Sequence, residues 1–123
     1  MTPSQAKKAR TTLRTFALGL PGAWEDSPWG GSVAKVGKKI FCFLGVEDPK
    51  QYPLGLTVKI PELAPLVTQL DACELAGHGL GKSGWVNVKF AAADCPSLDE
   101  LLEWVEDSYR LIAPKKLVKE LDA

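Results

Sequence analysis

Between residues 54 and 60 apolar and polar positions alternate: Leu54, Leu56, Val58 and Ile60 are separated by Gly55, Thr57 and Lys59. A period of two places the apolar set on one face of an extended strand and the others on the opposite face. A chain built around such a strand needs a sheet that is covered on one side. The pattern returns at residues 85–91, where Val86, Val88 and Phe90 face one way and Trp85, Asn87 and Lys89 the other. Ser32–Val36 and Lys39–Val46 read as a hairpin around Gly37-Lys38, with glycine at the first loop position of a type II′ turn. The second of these strands is apolar on both faces, which suits a central place in the sheet. Cys73–Ala76 is a further candidate strand, and residues 45–53 read as a loop with Asp48-Pro49 as its turn.

The covering layer is helical. Thr2, Pro3 and Gln5 form a capping box with proline at the first helical position. Ala6, Ala9, Leu13, Phe16, Ala17 and Leu20 then keep helical spacing up to Gly19 or Gly22. The basic residues of this segment fall mostly off that stripe. Ser97 and Glu100 mark the start of a second long helix, with Leu98, Leu101, Leu102, Val105, Tyr109 and Ile112 as its buried stripe. Pro114 breaks it and leaves 115–121 as a separate terminal helix. A short helix is expected from Pro61, carrying Leu63, Leu66, Val67 and Leu70, with Pro65 one turn in. Residues 21–31, with Trp24 and Trp29, read as a turn-rich connector. The order of these elements predicts an α+β fold, an antiparallel β-sheet with helices packed on one face, in a single domain over residues 1–123.

Composition excludes several classes. Lys+Arg and Asp+Glu both number 15, so the formal net charge is zero, unlike that of a generic polyanion binder. The charge is nevertheless blocked. Residues 1–24 are basic without acids, 94–107 acidic without bases, and 109–119 basic again. The longest apolar run, Ile40 to Val46, is too short to span a membrane, and no apolar segment follows the basic start, so a cytoplasmic protein is expected. Cys42, Cys73 and Cys95 are widely spaced and His78 is the only histidine, which predicts reduced thiols and no metal or other cofactor.

The glycine-rich stretch 77–84 superficially resembles a phosphate loop. Ala76 occupies the position where the first glycine of that motif belongs, and the stretch leads into a strand rather than a helix. It reads as a hairpin tip. His78 has no recognisable nucleophile or orienting partner in the sequence, so catalysis is not expected. Lys82, Trp85, Asn87 and Lys89 are more suggestive. They share one strand face or its approach, where a tryptophan beside lysines can stack on a base while ammonium groups meet phosphates, unless a loop or the chain terminus covers the ring.

Three segments taken in order resemble one family: Leu20-Pro21-Gly22-Ala23-Trp24-Glu25-Asp26-Ser27-Pro28-Trp29-Gly30, then Gly81-Lys82-Ser83-Gly84-Trp85-Val86-Asn87-Val88, then Asp107-Ser108-Tyr109-Arg110-Leu111-Ile112. Together they look like the MmcQ/YjbR family of small bacterial proteins. The resemblance implies a CyaY-like (bacterial frataxin-like) α+β architecture and a DNA-binding role. It carries a Lys-x-x-Trp motif onto Lys82 and Trp85, and a Ser-Tyr motif onto Ser108 and Tyr109. Many members have a polar residue directly before that tryptophan, where this chain has Gly84. The acidic first helix of frataxin-type iron binding has no counterpart in residues 1–24, so iron delivery is not expected.

The leading expectation is therefore a non-enzymatic DNA-binding protein of low sequence specificity, using Lys35, Lys38, Lys39, Lys59, Lys82, Trp85 and Lys89. The other reading is a protein- or small-ligand-binding surface around Trp24, Trp29, Tyr52 and Trp85, without nucleic acid. A continuous basic patch favours the first; lysines scattered among acids beside an apolar cleft favour the second.

Overall fold

The computed structural model describes residues 1–45 and 54–123. The elements run α1 (Pro3–Leu18), β1 (Ala23–Asp26), β2 (Ser32–Val36), β3 (Lys39–Gly45), β4 (Gly55–Lys59), α2 (Ala64–Val67), β5 (Cys73–Leu75), a 3-10 turn (Leu80–Ser83), β6 (Trp85–Lys89), α3 (Leu98–Ile112) and α4 (Lys115–Asp122). The strands form a six-stranded sheet of order β1-β2-β3-β4-β6-β5, and every pairing is antiparallel. The fold is α+β, as the alternating strands predict.

Most local signals are realised. Thr2 and Gln5 close the capping box of α1, and Ser97 Oγ accepts the Glu100 N–H at the start of α3. Gly37 takes a positive φ of 61° and Lys38 does not, as a type II′ turn requires. Val46 and the 45–53 loop reading lie outside the described residues beyond Gly45.

Three expectations change. The presumed connector contains β1, which pairs with β2 from Ala23↔Val36 to Asp26↔Val33 and forms one edge of the sheet. The helix after Pro61 shrinks to Ala64–Val67, and Leu66 is left exposed. Arg10 is buried with the apolar stripe of α1: its Nε donates to the Leu44 carbonyl at 3.1 Å and a terminal nitrogen to the Gly45 carbonyl at 3.2 Å. Carbonyls at the end of β3 supply acceptors that helical periodicity could not show.

The core lies between the helices and one face of the sheet. Ala34, Val36, Cys42, Leu44, Leu56, Val58, Val86 and Val88 meet Leu13, Ala17, Leu101, Trp104, Val105 and Tyr109 there. Strand β3 is apolar on both faces for a specific reason. The pairing steps from Ser32↔Gly45 to Val33↔Phe43 and from Ala34↔Cys42 to Lys35↔Ile40, so Leu44 and Phe41 are bulged residues. Bulges turn Phe41, Cys42 and Leu44 inward together and leave Phe43 on the outer face.

Strands β3 and β4 register at Cys42↔Val58 and Phe43↔Thr57. Beyond that point Ser108 of α3 enters between them. Its hydroxyl donates to the Phe41 carbonyl at 2.6 Å and accepts the Lys59 N–H at 2.9 Å, in a fully buried position. The next residue, Tyr109, packs edge-on against Phe41 with ring centroids 5.3 Å apart, and its hydroxyl donates to the Pro21 carbonyl at 2.7 Å. Strand β1 is tied to α1 by Arg14, which grips both carboxylate oxygens of Glu25 at 2.7 and 2.6 Å, while the Ser32 hydroxyl donates to the same carboxylate.

Two predictions arise. Ser108→Ala leaves the Phe41 carbonyl and the Lys59 N–H without their partner and should lower stability by about 2 kcal/mol, read as a reduced urea midpoint with unchanged m-value. The Arg14 guanidinium and Ser32 hydroxyl hold the Glu25 carboxyl down to about 2 from its ordinary 4.5. The stabilisation is therefore full above pH 4.5 and lost as the pH falls toward 2. Glu25→Gln should be less stable than the parent at pH 7, with the difference closing across that acid range in urea titrations.

Candidate nucleic-acid interface

The helices occupy one face of the sheet, and the other face carries the side chains of interest. A row runs across it through Val33, Phe43, Thr57, Asn87 and Glu74, each opposite the next on the adjoining strand. A second row, nearer the Gly37 turn, holds Trp24, Lys35 and Ile40. Lys59 and Trp85 pair on the same face.

Trp85 points away from the helices, as the period-two pattern requires, but it is only 8% exposed. Phe43 meets it edge-on with centroids 5.5 Å apart. The ring is committed to packing on the outer face and has no free surface on which to stack a base. Sequence alone could not pair Phe43 with Trp85, because that contact depends on the bulges in β3.

The lysines divide into two groups. Lys35 Nζ sits 3.0 Å from Asp26 and 4.9 Å from the Trp24 ring centroid, and the Trp24 indole donates to the Gly37 carbonyl at 2.9 Å. Lys89 stands at the far end of β6, opposite Gly55, with its Nζ 3.7 Å from Glu74. Both are internally compensated. Lys38 and Lys39 are exposed at the β2–β3 turn, Lys82 is exposed in the 3-10 turn, and Lys59 ends β4. Antiparallel register brings the start of β3, the end of β4 and the approach to β6 to the same end of the sheet. None of Lys38, Lys39, Lys59 and Lys82 forms an ion pair among the described residues. Lys59 also borders a hollow of about 350 Å³ with Glu62, Asp107 and Arg110, where burial raises the Asp107 carboxyl above its usual range. Arg110 is already held by Glu106 and Asp122.

At the opposite end of the outer face lies an open cleft of about 450 Å³, lined by Trp29, Phe43, Thr57, Asn87 and Lys89. Its depth comes from missing side chains, since Gly31, Gly45 and Gly55 also line it. A Cβ on Gly55 would strike the Val88 carbonyl. Trp29 is 74% exposed at this cleft. The Thr57 hydroxyl donates to the Asn87 side-chain oxygen at 2.6 Å, which leaves the Asn87 amide N–H groups as donors. Of the aromatic set in the second reading, Trp24 and Trp29 are exposed, Trp85 is not, and Tyr52 lies outside the described residues.

The ordered motifs now have places in the fold. Ser108 and Tyr109 are buried structural groups, Lys82 projects from the 3-10 turn, and Trp85 packs on Phe43. A family model described as YjbR matches residues 18–111. The chain belongs to the YjbR family. No curated protein matches the chain. The matched span begins at the end of α1 and closes within α3, so it contains the whole sheet and the Ser108–Tyr109 staple of this YjbR-family chain.

Gly84, which stands before the tryptophan of the Lys-x-x-Trp motif, has a backbone reason to be glycine. Its φ is +88°, its carbonyl accepts the Ile60 N–H at 2.9 Å, and a Cβ there would run into Pro61. The position holds the 3-10 turn against the end of β4, and no side chain from it could join a site without moving Pro61. Gly84→Ala should therefore cost about 3 kcal/mol, from the left-handed φ and the collision together, measured by urea denaturation. Gly79→Ala is the control: its φ is also positive, but nothing lies within 4 Å of its Cβ, so its loss should be smaller.

Proposed function

We propose that this YjbR-family protein is a non-enzymatic DNA-binding protein of low sequence specificity, which holds phosphates with Lys38, Lys39, Lys59 and Lys82. The observation that carries the reading is their placement at one end of the sheet, Lys59 on the helix-free face and Lys39 opposite core-facing Val36, unpaired among the described residues. Lysine ammonium groups meet phosphates as point charges and release counterions, a contact that carries no sequence information. Low specificity follows from the architecture, because α1 and α3 spend their apolar faces on the core and do not project as a recognition helix. Burial pushes the Cys42 thiol up to about 12 and the Cys73 thiol to about 11, so neither is a ready nucleophile near neutral pH, in keeping with a binding role.

A second reading has its own support. Asp26 and Glu74 neutralise Lys35 and Lys89, and the cleft beside Trp29 and Phe43 is partly apolar, which suits a small ligand or a protein segment. Binding measured against salt separates the two. Lys38, Lys39, Lys59 and Lys82 replaced together by Gln should reduce the slope of log K against log salt on duplex DNA by up to about 3.6, at about 0.9 per lost phosphate contact. Lys35→Gln and Lys89→Gln should change it little. Millimolar or salt-independent DNA binding by the parent protein would overturn the DNA reading in favour of the second.

A further inference from the structure

The cleft beside Trp29 has chemistry that backbone neutralisation does not use. The face offers an exposed indole, a hydrogen-bonding floor and a nearby ammonium group within one concavity. Trp29 is 74% exposed, whereas the other outer-face aromatic at this level, Phe43, is occupied by Trp85. The Thr57 hydroxyl fixes the Asn87 amide so that its N–H groups remain to be donated. The bare backbone at Gly31, Gly45 and Gly55 allows a flat group to approach closely. Lys89 borders the same cleft, and its 3.7 Å pair with Glu74 is exposed on both sides, so an incoming phosphate can replace the carboxylate at little cost.

We infer that this cleft receives an unpaired base, and that the outer face binds single-stranded DNA in preference to duplex. This rests on the DNA-binding reading and narrows it. A base in a duplex is stacked on both faces and meets a protein only by its groove edges, so it cannot lie on Trp29 while it accepts from Asn87. A base of a single strand can do both. The strand's phosphates are then shared between Lys89 at one end of the sheet and Lys38, Lys39, Lys59 and Lys82 at the other. The stacking position lies in the cleft at the Lys89 end, so a strand seated there runs along the outer face toward the other lysines. The hydrogen bond from Asn87 needs an acceptor that every base carries, so little sequence preference is expected.

The test is fluorescence anisotropy with labelled oligo-dT of about 15 nucleotides and a mixed-sequence duplex of equal length, each at low and physiological salt. The parent protein should bind the single strand at least about tenfold more tightly than the duplex, and Trp29→Ala should weaken single-strand binding by about tenfold while leaving duplex binding unchanged. Trp29 is exposed enough for the alanine variant to fold normally, which its circular dichroism melt checks. Asn87→Ala, with Thr57 intact, should weaken single-strand binding by a smaller factor. Equal or tighter duplex binding, or an unchanged single-strand affinity in Trp29→Ala, overturns the inference and leaves the lysine-based reading standing. Failure of both DNAs to show salt-dependent binding overturns that reading and the inference with it. An oligo-U bound about tenfold more tightly than oligo-dT reassigns the cleft to RNA and overturns the choice of DNA.

Discussion

The Ser108 hydroxyl is the contact on which the geometry of the sheet turns. Strands β3 and β4 are neighbours in the sheet order, yet near Phe41 and Lys59 a side chain of α3 takes the place of their direct hydrogen bond. One small group satisfies a carbonyl and an N–H that would otherwise be buried without partners, and it does so from the helix that fills the core. Divergence of the two strands at this end accommodates the bulge at Phe41, and the bulge lets Phe41 and Cys42 both face inward. Tyr109, one residue on, fastens the same helix to Pro21, two residues before the first strand. The pair thus sets where α3 lies along the sheet and where Lys59 emerges on the other face.

That placement explains how a chain of zero net charge can offer a basic end. Many of the acids are removed from it by position. Asp99, Glu100 and Glu103 sit on α3, on the helical side of the sheet. Asp26 and Glu74 are matched with Lys35 and Lys89, Glu25 with Arg14, and Asp122 with Arg110. Potential at a surface is set by charges within about 8–10 Å at physiological salt, so the total matters less than the local balance. Glu62 and Asp107 remain beside Lys59, in the hollow that the three line together. The lysine end is locally basic although the molecule is not.

Much of the fold was legible because it rests on periodic patterns. The strands around Val58 and Val88, the capped helices and the Gly37 turn all declare themselves within a few residues. Strand β1 did not, because Ala23-Trp24-Glu25-Asp26 has no apolar alternation. It is an edge strand whose Glu25 is tied to α1 and whose Trp24 packs on Lys35 rather than on the core. The candidate site was less legible than the fold. The lysines at the turn and at the end of β4 could be named from sequence, but the ion pairs of Lys35 and Lys89 depend on cross-strand neighbours. The cleft is assembled from Thr57 and Asn87, residues 30 apart in sequence, and from glycines whose lack of a side chain is the relevant property. Trp29 was visible only as one aromatic among several in a turn-rich stretch.

The two tryptophans exchange the roles that local pattern suggests for them. Trp85 lies in a regular strand beside lysines, which is where a recognition residue would be sought, yet Phe43 covers it. Trp29 lies between Pro28 and Gly30 in a turn, outside any regular element, and keeps most of its surface. The difference follows from what each backbone can provide. A side chain in the middle of a sheet has close neighbours on both flanking strands and is drawn into packing with them. A side chain in a turn at the sheet margin has neighbours on one side only, and a turn flanked by proline and glycine holds it there without burying it. In the Lys-x-x-Trp segment the tryptophan therefore acts as an anchor: it fixes the start of β6 against Phe43, Gly84 fixes the preceding turn against Pro61, and Lys82 is presented to solvent from the turn so held. Its lysine can touch a ligand because its tryptophan does not.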